Sequence, residues 1–229
     1  MGSDPSPDRL GASRQRFRAG VRRGVPFGIA VCAIAISFGV LARPTMGSVA
    51  PIVMSIVVFS GAAQFGALAV LSAGGGAGTA IAAGVLLNTR YLAMGVALAP
   101  SLRGRPLSRA LFAMTTVDAS WAAASIGDGT FDPWYMAGAS APQYTGWVLG
   151  TIAGVLIGPV LGDPRSFGLD TLFPAFFVAL LFEEARGTQR RAAACGGAAI
   201  ALALIPFVPV GLPILAAAVA AVAASRIRS

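Results

Sequence analysis

The stretch FSGAAQF, residues 59–65, interrupts the apolar run VAPIVMSIVVFSGAAQFGALAVLSAG that extends from Val49 to Gly74. A run of that length reads as membrane-spanning, yet a serine, a glycine, two alanines and a glutamine stand at its middle. Small residues let helices approach closely within a membrane, and a serine or glutamine can bond to a neighbouring helix. Gly61 also weakens a helix, and backbone freed by a break is tolerated at membrane depth only where protein or a water-lined cavity satisfies it. Loop charges discriminate between close packing and a broken helix.

The chain has 229 residues, of which 56% are hydrophobic and only 11% charged, with a mean hydropathy of +0.76. This balance lies far from that of a soluble globular domain. Apolar runs long enough to cross a hydrocarbon core of about 30 Å fall near residues 24–43, 49–73, 77–101, 108–126, 144–162, 167–184, 192–209 and 211–226. The expected fold is all-α, a polytopic inner-membrane protein with six to eight transmembrane segments in a single domain, residues 24–229. The segment before it, residues 1–23, carries proline, glycine, serine and six arginines and reads as a disordered cytoplasmic arm. The formal net charge of +8 does not indicate nucleic acid, because the arginines lie in that arm and in short loops rather than on a basic face with aromatics. Cys32 and Cys195 fall inside apolar segments and read as small core residues.

Loops on the cytoplasmic side of a membrane are enriched in Lys and Arg. If all eight segments cross, Arg103, Arg105 and Arg109 fall outside and Asp128 and Asp132 inside, against that rule. If residues 49–73 break at FSGAAQF and return to the side they came from, and residues 167–184 do the same near Phe173 and Pro174, the arginines become cytoplasmic. Asp128 and Asp132 then lie outside, and Arg43 alone is misplaced. GVLARPTMG at 39–47 and GVLIGPVLG at 154–162 share Gly, Val, Leu, Pro and Gly. They suggest an internal repeat of about residues 24–101 and 144–209, and the two-break topology makes its halves run in opposite directions. Inverted repeats with discontinuous helices near the midplane are a common plan of secondary transporters.

A second polar cluster lies in the third segment, where Asn88, Thr89, Arg90 and Tyr91 separate two apolar runs. An arginine near the bilayer centre costs about 2.5 to 3.5 kcal/mol on insertion scales and so faces a partner or a polar cavity. Asp118, in the next segment, is the expected partner. The pair reads either as a structural ion pair or as a functional one, with Arg90 holding a carboxylate or Asp118 changing protonation. Histidine is absent, so a proton relay would use carboxylates, among them Asp118, Asp170, Glu183 and Glu184. No phosphate-binding loop, metal-ligand spacing or activated nucleophile is present in the sequence, and neither an enzyme nor a cofactor is expected.

With these motifs, the chain resembles the AzlC-type branched-chain amino acid permeases. The resemblance rests on FSGAAQF at 59–65, LLNTRYLAMGVALAP at 86–100 and TTVDASWA at 115–122. It implies export of valine, leucine or isoleucine across the bacterial inner membrane, with a small AzlD-type membrane subunit as partner. Gln64, Asn88, Arg90 and Asp118 match family motif positions. Ala119 departs from the pattern, since the family often places a second acidic residue after that aspartate. The expected protein is therefore a secondary transporter subunit working by alternating access, possible coupling to protons included, with the N-terminus cytoplasmic. Ser60, Gly61, Gln64, Phe173 and Pro174 would form a broken-helix site whose amides hold the substrate carboxylate. A channel or passive pore is the alternative from another class.

Overall fold

Among the described residues the apolar segments fold as helices, and several of the polar positions among them mark where a helix stops. The computed structural model describes residues 7–102, 104–127, 129–161 and 188–207, together with residues 168, 171, 175, 178 and 182. The helices are α1 (Pro7–Met46), α2 (Ala50–Val58), α3 (Gly61–Ser72), α4 (Ala77–Asn88), α5 (Arg90–Leu98), α6 (Pro106–Met114), α7 (Asp118–Ala124), α8 (Pro133–Leu161) and α9 (Thr188–Leu204). Among the described residues three stretches, Gly11–Met46, Ala77–Ser101 and Pro133–Leu161, are long and apolar enough to cross a membrane. Polarity is arranged as a bilayer requires. Ser37, Ser55, Gln64, Ser120 and Thr151 are buried, whereas Ile29, Leu92, Val96, Leu156 and Val160 are exposed. Backbone contacts group the chain into two compact units, Met1–Ile36 with Thr89–Gly154, and Ser37–Asn88 with Val155–Ser229.

In the first unit α1 and α8 lie against each other through glycines. Gly20 faces the backbone of Tyr135 and Ala139, Gly28 that of Pro142, and Gly150 that of Cys32. The contact positions advance together along both helices, which therefore run parallel. Since GVLARPTMG and GVLIGPVLG lie towards the ends of these two helices, the opposite directions expected of the two copies are not what the structure has. Residues 7–23, assigned by composition to a disordered arm, are the opening turns of α1. Proline at the first helical position and this packing along α8 account for the helix.

The fourth apolar segment, residues 108–126, is not a single span. It stops after Met114, runs through Thr115 and Thr116 to an extended Val117 (φ −131°, ψ 159°), and restarts at Asp118. Nine and seven residues rise only about 14 and 11 Å, too little to cross about 30 Å. The segment folds back instead. A short hairpin, β1 (Ser125–Gly127) and β2 (Thr130–Phe131), follows α7, and the Phe131 amide donates to Ser101 Oγ at 2.9 Å. Both ends of 106–124 thus lie beside the end of α5, around the cluster of Leu98, Leu102, Ala124, Phe131 and Met136.

Asp132 then caps α8, its Oδ1 accepting from the Trp134 and Tyr135 amides at 3.0 and 3.1 Å, so this helix begins eleven residues before the expected 144. Asp132 Oδ2 also lies 3.6 Å from Arg16 Nη1. The expectation that places the N-terminal arm inside and Asp132 outside is therefore corrected, because the fourth segment does not cross between them. Asp128 lies outside the described residues.

In the second unit α2 and α3 also form a folded-back pair. Gln64 Nε2 donates to Ser55 Oγ at 2.9 Å, although nine residues of uninterrupted helix would separate them by about 14 Å. At the far ends of the pair Ser72 Oγ is 3.3 Å from Thr45 Oγ1 in the last turns of α1, and the Phe38 and Phe65 rings meet edge to face at 5.3 Å. The segment thus returns to the end of the helix from which it set out. α4 packs antiparallel on α3, with Gly84 against Ala63 and a core of Ala67, Val70, Ala80 and Ala83. Arg43, misplaced by the loop-charge rule, ends α1 with its guanidinium bonded to the Val155 carbonyl, so it is a helix-packing residue rather than a loop cation.

Candidate functional site

Each unit holds one polar locus at the tip of its folded-back helix pair. In the second unit α2 ends on Phe59, which adopts left-handed backbone angles (φ 38°, ψ 50°). This conformation is costly for a bulky side chain and is retained only where the surroundings impose it. Ser60 follows in an extended conformation and caps α3, its Oγ accepting from the Ala63 amide at 3.4 Å. The break is therefore at Phe59 and Ser60, and Gly61 is the first residue of the returning helix. Ser60 Oγ also donates to Asn88 Oδ1 at 2.6 Å. Gln64 is fully buried one turn into α3.

The Gly61 and Ala62 amides occupy the first turn of α3, where a helix has no internal acceptor for its N–H groups. These groups and the aligned peptide dipoles give the helix start a partial positive charge, which suits a carboxylate. Ser60, Gly61 and Gln64 thus lie together at the break, and Asn88, grouped with Arg90 in the sequence, bonds to Ser60 instead. Phe173 and Pro174 lie outside the described residues, as do Asp170, Glu183 and Glu184. Ser55, the partner of Gln64, escaped the sequence reading. Its signal is symmetry, since Ser55 and Gln64 stand equally far from the break.

In the first unit Arg90 opens α5 and Asp118 opens α7, and Arg90 Nη2 lies 2.9 Å from Asp118 Oδ2. Their side chains remain 28% and 49% exposed, so the pair is open on one side rather than sealed in a core. The guanidinium carbon also stands 5.1 Å over the Tyr91 ring, a cation–π arrangement. Arg90 Nε and Trp121 Nε1 are buried donors with no acceptor among the described residues. The break before Asp118 is fixed by Ser120, whose hydroxyl accepts from the Val117 amide and donates to the Val117 carbonyl at 3.1 and 3.0 Å. This second interruption was also missed. Its sequence signal is the β-branched run Thr115, Thr116 and Val117, poor helix formers set directly before an aspartate.

A separate half-open cavity of about 730 Å³ in the first unit is lined by Arg16, Ser101, Phe112, Asp132 and Trp134 among others. Neither Arg90 nor Asp118 lines it, and the Arg16 side chain is more than half exposed.

Comparison with known proteins now bears on this arrangement. A profile of the AzlC protein family matches residues 26–161. An uncharacterized membrane protein of Archaeoglobus fulgidus is 32% identical over 209 residues, covering 89% of this chain and 91% of its own. The inner membrane protein YgaZ of Escherichia coli is 28% identical over 212 residues, 86% of this chain and 84% of its own. The branched-chain amino acid transport protein AzlC of Bacillus subtilis is 23% identical over 212 residues, 88% of this chain and 82% of its own. No solved structure matches significantly.

Proposed function

The chain belongs to the AzlC family, and we propose from that membership that it is the large subunit of a secondary transporter exporting branched-chain amino acids across the inner membrane. The observation that carries the reading is the fold-back at Phe59 and Ser60, which sets the first-turn amides of α3 within an otherwise apolar segment. Together with the transport named for the Bacillus relative, it gives a transporter that binds its substrate's carboxylate at a helix start. The apolar residues around the break take the branched side chain. Ser60, Gln64 and Asn88 fix the loop rather than react.

Arg90 and Asp118 supply the membrane-depth charges of the first unit. In this reading Asp118 is the group that exchanges a proton during the transport cycle, and Arg90 compensates its charge when it is ionised. Alternating access then proceeds by rearrangement of the folded-back helices. A small AzlD-type subunit completes the permease, and the arginine-rich start of α1 faces the cytoplasm by the positive-inside rule.

The test is efflux of valine, leucine, isoleucine and methionine from dipeptide-loaded cells. The chain is expressed alone, with the small membrane subunit, and with that subunit as Arg90→Ala. Saturable efflux that needs both subunits and is lost in Arg90→Ala is expected. Unsaturable flux would identify a passive pore, and unchanged efflux for every amino acid with both chains in the membrane would overturn the reading.

A further inference from the structure

The half-open cavity of the first unit forms where the fold-back of residues 106–124 brings α6 and the hairpin beside the opening turns of α1 and the start of α8. Its lining has a polar and an apolar part. In the polar part Arg16 Nη1 and Asp132 Oδ2 stand 3.6 Å apart, with side chains 55% and 14% exposed. That pair is wider than the 2.9 Å of Arg90 with Asp118. Ser101 Oγ accepts from the Phe131 amide, and its own proton has no acceptor among the described residues. The apolar part includes Leu102, Phe112 and Phe131, with the Phe112 ring edge-on to Trp134 at 5.1 Å. A volume of about 730 Å³ lies in the range of small-molecule sites, which join an apolar lining to a few placed polar groups.

Charge and depth specify the occupant. One cation and one anion suit a molecule that carries both signs, the guanidinium meeting its anionic group and the carboxylate its ammonium group. An ion pair so wide and exposed is weakly held, so a ligand can enter between its members. Arg16 precedes Val25, near the start of the apolar course of α1, by about 14 Å of helix. The headgroup layer on each side of a bilayer is only about 5 to 7 Å deep. The charged rim therefore faces water and free solutes rather than lipid headgroups.

We propose that this cavity binds a free amino acid with an apolar side chain. Arg16 and Ser101 hold the carboxylate, Asp132 the ammonium group, and Leu102, Phe112 and Phe131 the side chain. No residue of the breaks at Phe59 and Ser60 or at Thr115–Val117 lines the cavity. The inference rests on the transporter reading above, in which the start of α1 faces the cytoplasm, the side from which an exporter loads.

The test reads the cavity separately from transport. In the full-length chain, expressed with its small partner and carrying Cys32→Ala and Cys195→Ala, cysteine is placed at Ile126 or Thr130, which line the cavity, or at Leu107, exposed on α6 outside it. Thiol labelling in nanodiscs is timed with and without L-leucine. Leucine is expected to slow labelling several-fold at Ile126→Cys and at Thr130→Cys, and to leave Leu107→Cys unchanged. Thr130→Cys keeps the test open if Ile126→Cys does not fold. Asp132→Asn and Arg16→Gln should each abolish the protection, and asparagine still caps a helix, so α8 keeps its start. Leucinol and isocaproate, which carry one charge each, should protect poorly. Protection equal to leucine's by either one, or protection that survives both substitutions, would overturn the assignment. No protection alongside saturable leucine efflux overturns the cavity site and leaves the transporter standing, whereas protection without efflux supports the site and overturns the transporter. Labelling slowed by phosphatidylethanolamine in the nanodisc and indifferent to leucine would make the occupant a lipid and overturn the site as well.

Discussion

Gln64 and Ser55 are joined by a 2.9 Å hydrogen bond across the point where their helix stops, and this bond establishes that FSGAAQF reverses the chain. Side chains nine residues apart on a continuous helix are separated by about 14 Å along its axis. In a chain without its native cysteines, Ser55→Cys with Gln64→Cys is therefore expected to be bridged by a short bifunctional thiol reagent, which spans the length that the glutamine side chain fills. The mass of the treated protein reads the bridge directly. A pair that takes up two singly attached reagent molecules instead would mean that residues 50–72 run as one helix.

Arg90 and Asp118 invite a different comparison, because a half-exposed ion pair contributes modestly to stability, about 1 kcal/mol or less where it is solvated, but leaves an uncompensated charge at membrane depth when halved. Arg90→Gln and Asp118→Asn are each expected to lower thermal stability in detergent. The double variant should recover most of that loss, since no unpaired charge remains, yet stay inactive in efflux. Recovery of efflux together with stability would reduce the pair to a structural role and remove Asp118 from the transport cycle.

Much of the second unit's locus was legible in the sequence because the signal there is strong. A serine and a glutamine in a run of valines and isoleucines have few explanations, and Asn88 stands out for the same reason, as Arg90 does in the first unit. The first unit's break was missed, because its signal, the β-branched run Thr115, Thr116 and Val117 before an aspartate, is weak in an apolar segment where such residues are common. The three-dimensional neighbours, Ser120 turned back onto Val117 and Ser101 holding Phe131, make the fold-back plain. The loop-charge rule failed at Asp132 for a related reason. It counts crossings, and a segment that returns contributes none. Arg43 looked anomalous because a helix end was counted as a loop, although its guanidinium is spent on the Val155 carbonyl.

The parallel course of α1 and α8 makes a sharp distinction between glycines. A Cβ on Gly138 would stand against the Phe17 carbonyl, whereas one on Gly11 would meet nothing within 4 Å. Gly138→Ala therefore forces two backbones apart and is expected to cost about 2 kcal/mol or more, as overpacking does. Gly11→Ala stiffens α1 and should be neutral or stabilising by up to about 1 kcal/mol. Thermal unfolding of the purified variants in detergent ranks them, and equal melting temperatures would show that α1 and α8 do not touch at this place.

The contact of Arg16 with Asp132 and the bond from the Phe131 amide to Ser101 gather the start of α1, the end of α5 and the β1–β2 hairpin at one end of the first unit. A reporter fused to the N-terminus and one inserted after Gly129 are therefore expected on the same side of the membrane, and with Arg105 and Arg109 nearby the positive-inside rule predicts the cytoplasm for both. Asp132 does not oppose the assignment, because acidic residues weigh little in the rule and this one is already matched by a cation and two helix-start amides. Opposite sides for the two reporters would require residues 106–124 to cross. Neither helix, of nine and seven residues, crosses by itself, since they rise about 14 and 11 Å at 1.5 Å per residue against a core of about 30 Å. Such a result would overturn the second fold-back.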